Sequence, residues 1–180
     1  EFGESMNTIV IAVKDDRFFK KTYIDAWNRL GDDIKSIKGV DRVINITKLP
    51  ILTTDSNRTK FKDTIWYHPK MSSSEIDSAV TVLKNQDIYK GMFYNNNPIS
   101  GIMLVDINKE VLASPERKNV IDIIVTCGDI YSSSLNNIDV KYSGLPYIRT
   151  KESIKIKDEI SLFIIYTLLI TSFILFLFFR

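Results

Sequence analysis

NTIVIAVKDDRFFKKTYIDAWNRLGDDIKSIKG, residues 7–39, changes its hydrophobic period part-way along. Residues 7–13 form a short β-branched run, which is typical of a buried strand. Across residues 18–37, apolar side chains recur every three or four positions, as they do on one face of an amphipathic helix. Gly39 then stands where a helix C-cap would place it. The stretch therefore predicts a strand followed by a helix.

Three further strands are predicted after this strand and helix. They occupy residues 40–52, 101–107 and 138–145. The first two are rich in β-branched residues, and the third alternates apolar with polar side chains, as a half-buried strand does. Residues 53–70 are expected to be irregular, and residues 95–100 carry the Asn and Pro of a turn.

Two more helices are predicted between these strands. Ser72, Ser73 or Ser74 can cap the first of them, with Glu75 in its first turn. The second is expected to begin at a cap and an N-terminal proline in the sequence Ser-Pro-Glu, residues 114–116. Its buried face is predicted to consist of Val120, Ile124, Cys127 and Tyr131.

This order of elements, β-α-β-(α)-β-α-β, predicts an α+β fold of the ferredoxin-like, split βαβ type. Such a fold has an antiparallel sheet of four strands with two helices packed on one face. The helix in parentheses is an expected insertion. Many unrelated functions use this plan, so the predicted fold by itself indicates none of them.

The last segment, ISLFIIYTLLITSFILFLFFR, has no charged residue from position 160 to position 179. A helix of twenty residues is about 30 Å long, which matches the hydrocarbon core of a bilayer. The alternative is a core helix buried on every side. We predict a transmembrane helix at residues 160–180, preceded by a charged helical run-in at residues 151–159 and a folded domain at residues 1–150.

Composition and motifs argue against several classes of protein. The net charge of +2 and the lack of a basic stripe predict no nucleic-acid partner. A single cysteine, Cys127, excludes an internal disulfide. His68 is the only histidine, and no nucleotide-binding or hydrolase motif is present. We therefore predict no enzyme activity, no catalytic or metal-binding residue and no cofactor.

Two carboxylate pairs are expected to be solvated surface rather than a catalytic pair. Asp15 and Asp16 fall in the turn after the first strand, and Asp32 and Asp33 fall on the polar face of the first helix. The turn KDDR also contains no glycine, whereas the ferredoxin-like acylphosphatases bind phosphate in a glycine-rich loop at that place. The two aspartates would repel a phosphate, so this activity is rejected.

Three segments carry a resemblance to a known family. They are YSGLPYIRTKESIKIKDE at residues 142–159, FGESMNTIVIAV at residues 2–13, and NQDIYKGMFYNNNPISGIMLVDI at residues 85–107. The first resembles the strand exit and run-in of the resistance-nodulation-division (RND) exporters near their MMPL branch. The second is similar to the start of the porter domain in that family, and the third to its Asn-x-x-x-Tyr-x-Gly segment.

The resemblance implies a fragment of a multi-pass transporter in the bacterial inner membrane: its first extracytoplasmic porter subdomain and the following membrane helix. It implies hydrophobic or amphiphilic substrates, such as lipids or drugs, and transport driven by protons. The expected partners are the bilayer, the remaining segments of the parent chain and further copies of it. Proton-relay carboxylates of the family lie in later membrane helices, so no relay residue is assigned here.

Within the first segment, the family's G-x-P-x-x-R-type strand exit corresponds to Gly144, Pro146 and Arg149. Gly144 can supply an unusual backbone angle at the end of the strand, and Pro146 fixes the backbone that follows. We assign these three residues to a hinge or coupling element between the domain and the membrane helix. The simpler alternative is that Gly144 and Pro146 only end a strand.

The charges around the tail helix bear on its orientation. Lys151, Lys155 and Lys157 precede it and only Arg180 follows, so a positive-inside count would place the domain in the cytoplasm. Large domains, however, cross the membrane largely regardless of charge. The resemblance implies that residues 1–150 lie outside the cytoplasm, and we adopt that orientation as the expectation.

Two other hypotheses remain open from the sequence. One is a tail-anchored binding or sensor module, consisting of one domain on one membrane helix. The other is an assembly subunit whose helix packs in a larger membrane complex, although the helix has no GxxxG spacing.

Overall fold

The computed structural model describes residues 7–54, 61–85, 87–96 and 99–179 of the chain. Strand β1 (Thr8–Lys14) runs through the middle of an antiparallel sheet. It buries Ile9, Ile11 and Val13, each at most 1% exposed, and turns the residues between them to the other face. The β-branched run at residues 7–13 thus forms the predicted strand, since its alternate side chains fill the core.

The sheet is completed by β2 (Val40–Asn45), β6 (Ile99–Ile107) and β7 (Val140–Ser143). These strands lie in the order β2-β6-β1-β7, and every neighbouring pair is antiparallel. A short strand, β5 (Tyr94–Asn96), also pairs with β6. The α+β class and the antiparallel sheet predicted from the sequence are therefore confirmed.

Two helices cover one face of this sheet. They are α1 (Lys21–Lys35) and α4 (Arg117–Ser134), which also contact each other. Trp27 of α1 is fully buried between them, with its ring centroid 5.4 Å from that of Tyr131 in α4. The opposite face of the sheet is only half-buried.

The second predicted strand, residues 40–52, is shorter than the hydrophobic pattern indicated. It ends at Asn45, and a 3₁₀ turn (Ile46–Lys48) follows. One contribution is local, because the Asn45 side chain accepts a hydrogen bond from the backbone N–H of Thr47 at 3.2 Å and so caps the turn. The apolar residues beyond it belong to a different sheet.

That second sheet is a hairpin of β3 (Pro50–Thr54) and β4 (Phe61–Ile65). The prediction of irregular structure at residues 53–70 is therefore wrong at 53–54 and 61–65, and its part at residues 55–60 lies outside the described residues. The hairpin is fixed to the domain through Trp66, whose indole N–H donates to the carbonyl of Ile46 at 2.7 Å. Because this partner lies twenty residues away, no short sequence pattern indicates the contact.

Helix α2 (Ser73–Lys84) begins as the sequence predicted. Ser72 is its N-cap, and the Ser72 hydroxyl accepts from the N–H of Glu75 at 3.4 Å. The Glu75 carboxylate in return accepts from the N–H of Ser72 at 2.7 Å. This reciprocal arrangement is a capping box, which satisfies two backbone donors that the helix itself leaves unpaired.

The predicted cap before α4 has a different role. A short helix, α3 (Lys109–Ala113), precedes it, and Ser114 ends α3 rather than beginning α4. The first residue of α4 is Arg117. On the predicted buried face, Val120, Ile124 and Tyr131 are at most 5% exposed, whereas Cys127 is half-buried. The face is thus largely as predicted, and only the start of the helix differs.

The C-terminal segment is one continuous helix, α5 (Leu145–Phe179). Its large apolar side chains from Ile160 to Phe179 are 51–86% exposed, so α5 is not a core helix of the described domain. Among the described residues, α5 is the one helix long and apolar enough to cross a membrane. The predicted run-in, residues 151–159, lies inside this helix and is not a separate element.

Candidate functional site

The candidate site is the junction at which β7 passes into α5. Gly144 joins them with a φ of +106°, a conformation that L-residues rarely adopt. Its carbonyl accepts from the N–H of Ile148 at 3.0 Å, the first turn of the helix. A Cβ on Gly144 would lie 2.3 Å from the carbonyl oxygen of Thr8 in β1. Space and backbone angle both therefore require glycine here.

The structure places Pro146 and Arg149 in the first turns of α5, with opposite surroundings. Pro146 is buried, and its lack of an N–H costs nothing at the start of a helix. Arg149 is exposed, and it makes no ion pair or hydrogen bond with the described residues. Thr150, which follows, is only 2% exposed. The junction thus contains Gly144 and Pro146 as packed residues, with Arg149 on its outer side.

Two tyrosines, which the sequence analysis did not assign to this site, join the strand to the helix. The rings of Tyr142 in β7 and Tyr147 in α5 stack with centroids 5.5 Å apart. The Tyr142 hydroxyl donates to the carbonyl of Val125 in α4 at 3.2 Å, and burial raises the pKa of this phenol. Tyr142 therefore contacts both helices on either side of the strand. The alternation of apolar and polar residues at positions 138–145 predicted that Tyr142 is buried, but it did not predict the stacking on Tyr147.

A second contact ties α5 to α4 one turn further on. Lys151 Nζ lies 3.6 Å from a carboxylate oxygen of Asp122 and 5.9 Å from the ring centroid of Tyr147. Both charged side chains are 45% exposed, so the pair contributes little to stability by itself. It adds a contact between α5 and α4 about one and a half turns after Pro146.

We expect the replacement of Gly128 by alanine to weaken this junction. A Cβ at Gly128 would lie 1.8 Å from the Tyr142 hydroxyl oxygen, so the ring must move. The expected loss in the free energy of unfolding is about 1–3 kcal/mol, typical of an overpacked site. Urea denaturation followed by tryptophan fluorescence measures it, because both tryptophans, Trp27 and Trp66, lie in the domain.

The matched variant for this test is Tyr142→Phe, which removes the atom nearest to the new methyl group. The double variant G128A/Y142F should lose less stability than the sum of the losses measured for the two single variants, because the phenylalanine relieves part of the overlap. Strictly additive losses would show that the contact between Gly128 and Tyr142 does not carry the effect.

A polar cleft of about 680 Å³ adjoins the junction on the half-buried face of the sheet. The Thr8 hydroxyl donates to the carboxylate of Asp106 at 2.6 Å, and the Arg42 guanidinium binds the same carboxylate at 2.7 and 2.8 Å. The carbonyl of Thr8 is the atom closest to Gly144. The cleft and the start of α5 therefore share one residue of β1.

His68 lies elsewhere, on the rim of an apolar groove beside α2, and its side chain is exposed. Its backbone N–H donates to the sulfur of Met71 at 3.2 Å. Cys127 is half-buried between α1 and α4, and this burial raises the pKa of its thiol. Among the described residues, no three His, Cys, Asp or Glu side chains converge as metal ligands would.

The two carboxylate pairs are also apart from the junction. Asp15 binds Arg17 at 2.8 Å, and the hydrogen bonds from Arg17 lower the pKa of this carboxyl, while Asp16 is exposed. Asp32 accepts from Asn28 at 3.0 Å, and Asp33 is exposed. Asp32 also pairs with Lys48 Nζ at 3.3 Å. The charged partners of Asp15 and Asp32 are therefore basic side chains, as on an ordinary solvated surface.

No known protein family matches this chain, and no curated protein matches it either. Its function therefore has to be inferred from the junction, the tail helix and the surface of the domain.

Proposed function

We propose that this chain is part of a multi-pass membrane transporter of the RND and MMPL type, which exports hydrophobic or amphiphilic substrates. In this proposal, residues 1–150 form an extracytoplasmic porter subdomain and α5 anchors it in the bilayer. One observation carries the proposal: the last strand of the sheet passes through Gly144 directly into a helix that is packed on the domain and long enough to span a membrane.

The strand order supports the ferredoxin-like part of this proposal. β6 and β1 are the two inner strands, β2 and β7 are the outer ones, and both long helices lie on one face. The segment between β2 and β6, which holds the hairpin and α2, is an insertion into this plan. A split βαβ arrangement has the same succession of strands and helices.

The proposed role of the junction is to make the domain and its helix move together. The buried Pro146, the stack of Tyr142 on Tyr147, and the pair of Lys151 with Asp122 resist bending between the sheet and α5. A tilt of the helix in the bilayer would then displace the whole domain and alter a substrate passage beside it. Arg149 faces outward, where it can meet a lipid headgroup or a neighbouring segment.

Energy for transport would come from protons moving through other membrane helices of the parent protein. Within residues 160–179 there is no charged side chain that could relay them. The hydroxyls of Thr171 and Ser161 donate to carbonyls of the same helix, at 2.8 and 3.0 Å, and are satisfied without water. The proposed location is the bacterial inner membrane, where copies of the parent protein assemble with one another.

A tail-anchored binding module is the second candidate. The observation that favours it is that only one helix among the described residues is long and apolar enough to span a membrane. In that case the domain would be complete in function on a single anchor, and no transport would occur.

The native mass of the polypeptide separates the two candidates. An antibody raised to residues 1–150 is used to probe membranes of the source cells. A band several times larger than 20.7 kDa is the expected result and supports the transporter. A band near 20.7 kDa would overturn it in favour of the tail-anchored module. Protease treatment of spheroplasts, in which the outer face of the inner membrane is accessible, should cut the domain. Protection of the domain, while a control protein exposed on that face is cut, would contradict the proposed orientation.

A further inference from the structure

A groove of about 580 Å³ lies between the β3–β4 hairpin and α2, far in sequence from the junction. We call it the hairpin groove. Ile51, Ile65 and Trp66 line it on the hairpin side, and Ala79 and Val82 line it on the helix side. Its volume falls within the range of about 300–1,000 Å³ that is usual for small-molecule sites.

The groove exposes apolar surface on both of its walls. Ile65 is 44% exposed and Val82 is 41% exposed, although both stand beside well-buried residues. Below them, Ile51 is 6% exposed and Trp66 is 3% exposed. Large apolar side chains that face each other across an open groove gain free energy when a ligand removes them from water, about 25 cal/mol per Å².

The walls are held in place independently of any ligand. The Trp66 indole is oriented by its 2.7 Å hydrogen bond to the carbonyl of Ile46. Met71, at one end of the groove, accepts from the N–H of His68 through its sulfur at 3.2 Å. The first turn of α2 is fixed by the capping box of Ser72 and Glu75. A preformed site of this kind loses little entropy on binding.

Polar side chains stand on both walls of the groove, with Thr64 and His68 on the hairpin side, and the one carboxylate among the lining residues is on the helix wall. Ser74, Glu75 and Ser78 lie along the helix wall, above the apolar floor. The Glu75 carboxylate accepts from the N–H of Ser72 at 2.7 Å and from its hydroxyl at 2.8 Å, and these bonds lower the pKa of Glu75. The rim therefore carries a negative charge at neutral pH, which complements a cation.

The segment that links the two strands of the hairpin is polar in composition. The residues that link β3 to β4, positions 55–60, have the sequence Asp-Ser-Asn-Arg-Thr-Lys. None of these residues is apolar. If they were buried on Ile51 and Val82, they would lose hydrogen bonds to water, and the apolar side chains could not provide others.

We infer that the hairpin groove binds a small amphiphile, with its apolar body between Ile65 and Val82 and a cationic head group beside Glu75. Alkyl- and arylammonium compounds have this chemistry. The inference does not depend on the proposed transport function, because a single-anchor binding module would use the groove in the same way. It adds a cationic head group and a place in the fold for the ligand, neither of which the junction or the tail helix indicates.

The experiment uses the full chain in lipid nanodiscs, with labelled methyl groups of Ile, Val, Ala and Met observed by NMR. Hexyltrimethylammonium is titrated at mildly alkaline pH, alongside hexanol and hexanoate, whose short chains enter the bilayer only weakly. Saturable shifts are expected at Ile65, Met71 and Val82. Hexanoate should bind at least about tenfold more weakly than the ammonium compound, since it places a second negative charge near Glu75. Shifts that spread over the domain without saturation would overturn the inference.

Two variants and one control make the test specific. Glu75→Gln keeps a capping-box residue while removing the charge, and it should abolish the preference for hexyltrimethylammonium over hexanol. Val82→Lys should weaken ammonium binding by at least about tenfold, because it places a cation in the groove. Ile130→Lys introduces the same side chain at a 65% exposed position of α4 and should leave binding unchanged. If E75Q retained the preference for ammonium, the assignment of the head group to Glu75 would be wrong, even if V82K did not fold.

Discussion

Replacing Gly144 with alanine should lower the free energy of unfolding of the domain by about 2–5 kcal/mol. Two costs combine at this position. A side chain at φ +106° is strained by about 1–2 kcal/mol, and the new Cβ would lie 2.3 Å from the Thr8 carbonyl oxygen. That oxygen belongs to the central strand and can move only if the sheet distorts, which adds about 1–3 kcal/mol. Urea denaturation of the full chain, followed by tryptophan fluorescence, measures the loss.

Gly91→Ala is the matched control for this result. Gly91 also has a positive φ, +81°, but a Cβ built there meets no atom within 4 Å. It should therefore cost only the backbone strain, about 1–2 kcal/mol. If G91A and G144A destabilised the domain equally, the close approach of Gly144 to β1 would contribute nothing to the free energy of unfolding. The backbone around the junction would then adjust to a new side chain without measurable cost.

The double replacement Leu169→Asp and Ile170→Asp should release the chain from membranes. Both residues lie near the middle of the apolar part of α5. Each side chain is 60% exposed, so neither packs on the domain. An aspartate at the centre of a membrane helix costs about 3 kcal/mol, and each lost Leu or Ile removes about 0.5 kcal/mol, so the pair amounts to about 7 kcal/mol. After alkaline carbonate extraction, the wild-type chain should remain with the membrane pellet, and this variant should appear in the supernatant.

The control introduces the same two charges into the same helix, outside the apolar part. Ile148 and Ile156 are 41% and 53% exposed, and both precede residue 160. The variant I148D/I156D should stay in the pellet as the wild type does. Should it be released to the same extent as L169D/I170D, then α5 would not insert with residues 160–179 as its membrane segment.

The elements that the sequence predicted well are those in which one local period controls burial. Residues 7–13 and 101–107 became inner strands, because their alternate residues face the helices. The Ser72–Glu75 cap is also local, since all its hydrogen bonds join residues three positions apart. The tail helix was predictable because its composition departs so far from that of the domain.

The hairpin and the end of β2 could not be predicted in the same way. The apolar pattern of residues 40–52 continues past Asn45, so it gives no sign of the turn that breaks it. Asn45 also donates to the carbonyl of Trp27 at 3.1 Å, a contact with the first helix that exists only after folding. Tertiary hydrogen bonds of this kind override the local pattern, because an unpaired buried amide would cost about 1–3 kcal/mol.

The candidate junction was found only in part. Gly144 and Pro146 could be assigned to it from the sequence, because glycine frees the backbone and proline restricts it in known ways. Tyr142, Tyr147 and Asp122 could not be, because they come from three elements and meet only in the fold. The hairpin groove was hidden for the same reason, since its walls include a hairpin that the hydrophobic pattern did not indicate.

The unbroken course of α5 also gives the domain a defined azimuth above the bilayer. Each helical residue adds about 1.5 Å of height and about 100° of rotation. The number of residues in the segment 151–159 therefore sets both the height of the domain and its rotation about the helix axis. Removing one of these residues would turn the hairpin groove by about 100° around the helix axis while lowering it by only about 1.5 Å. Adding seven would raise the domain by about 10 Å and return the groove to nearly the same compass direction. The number of residues between the domain and the membrane thus selects which face of the domain a membrane-bound neighbour meets.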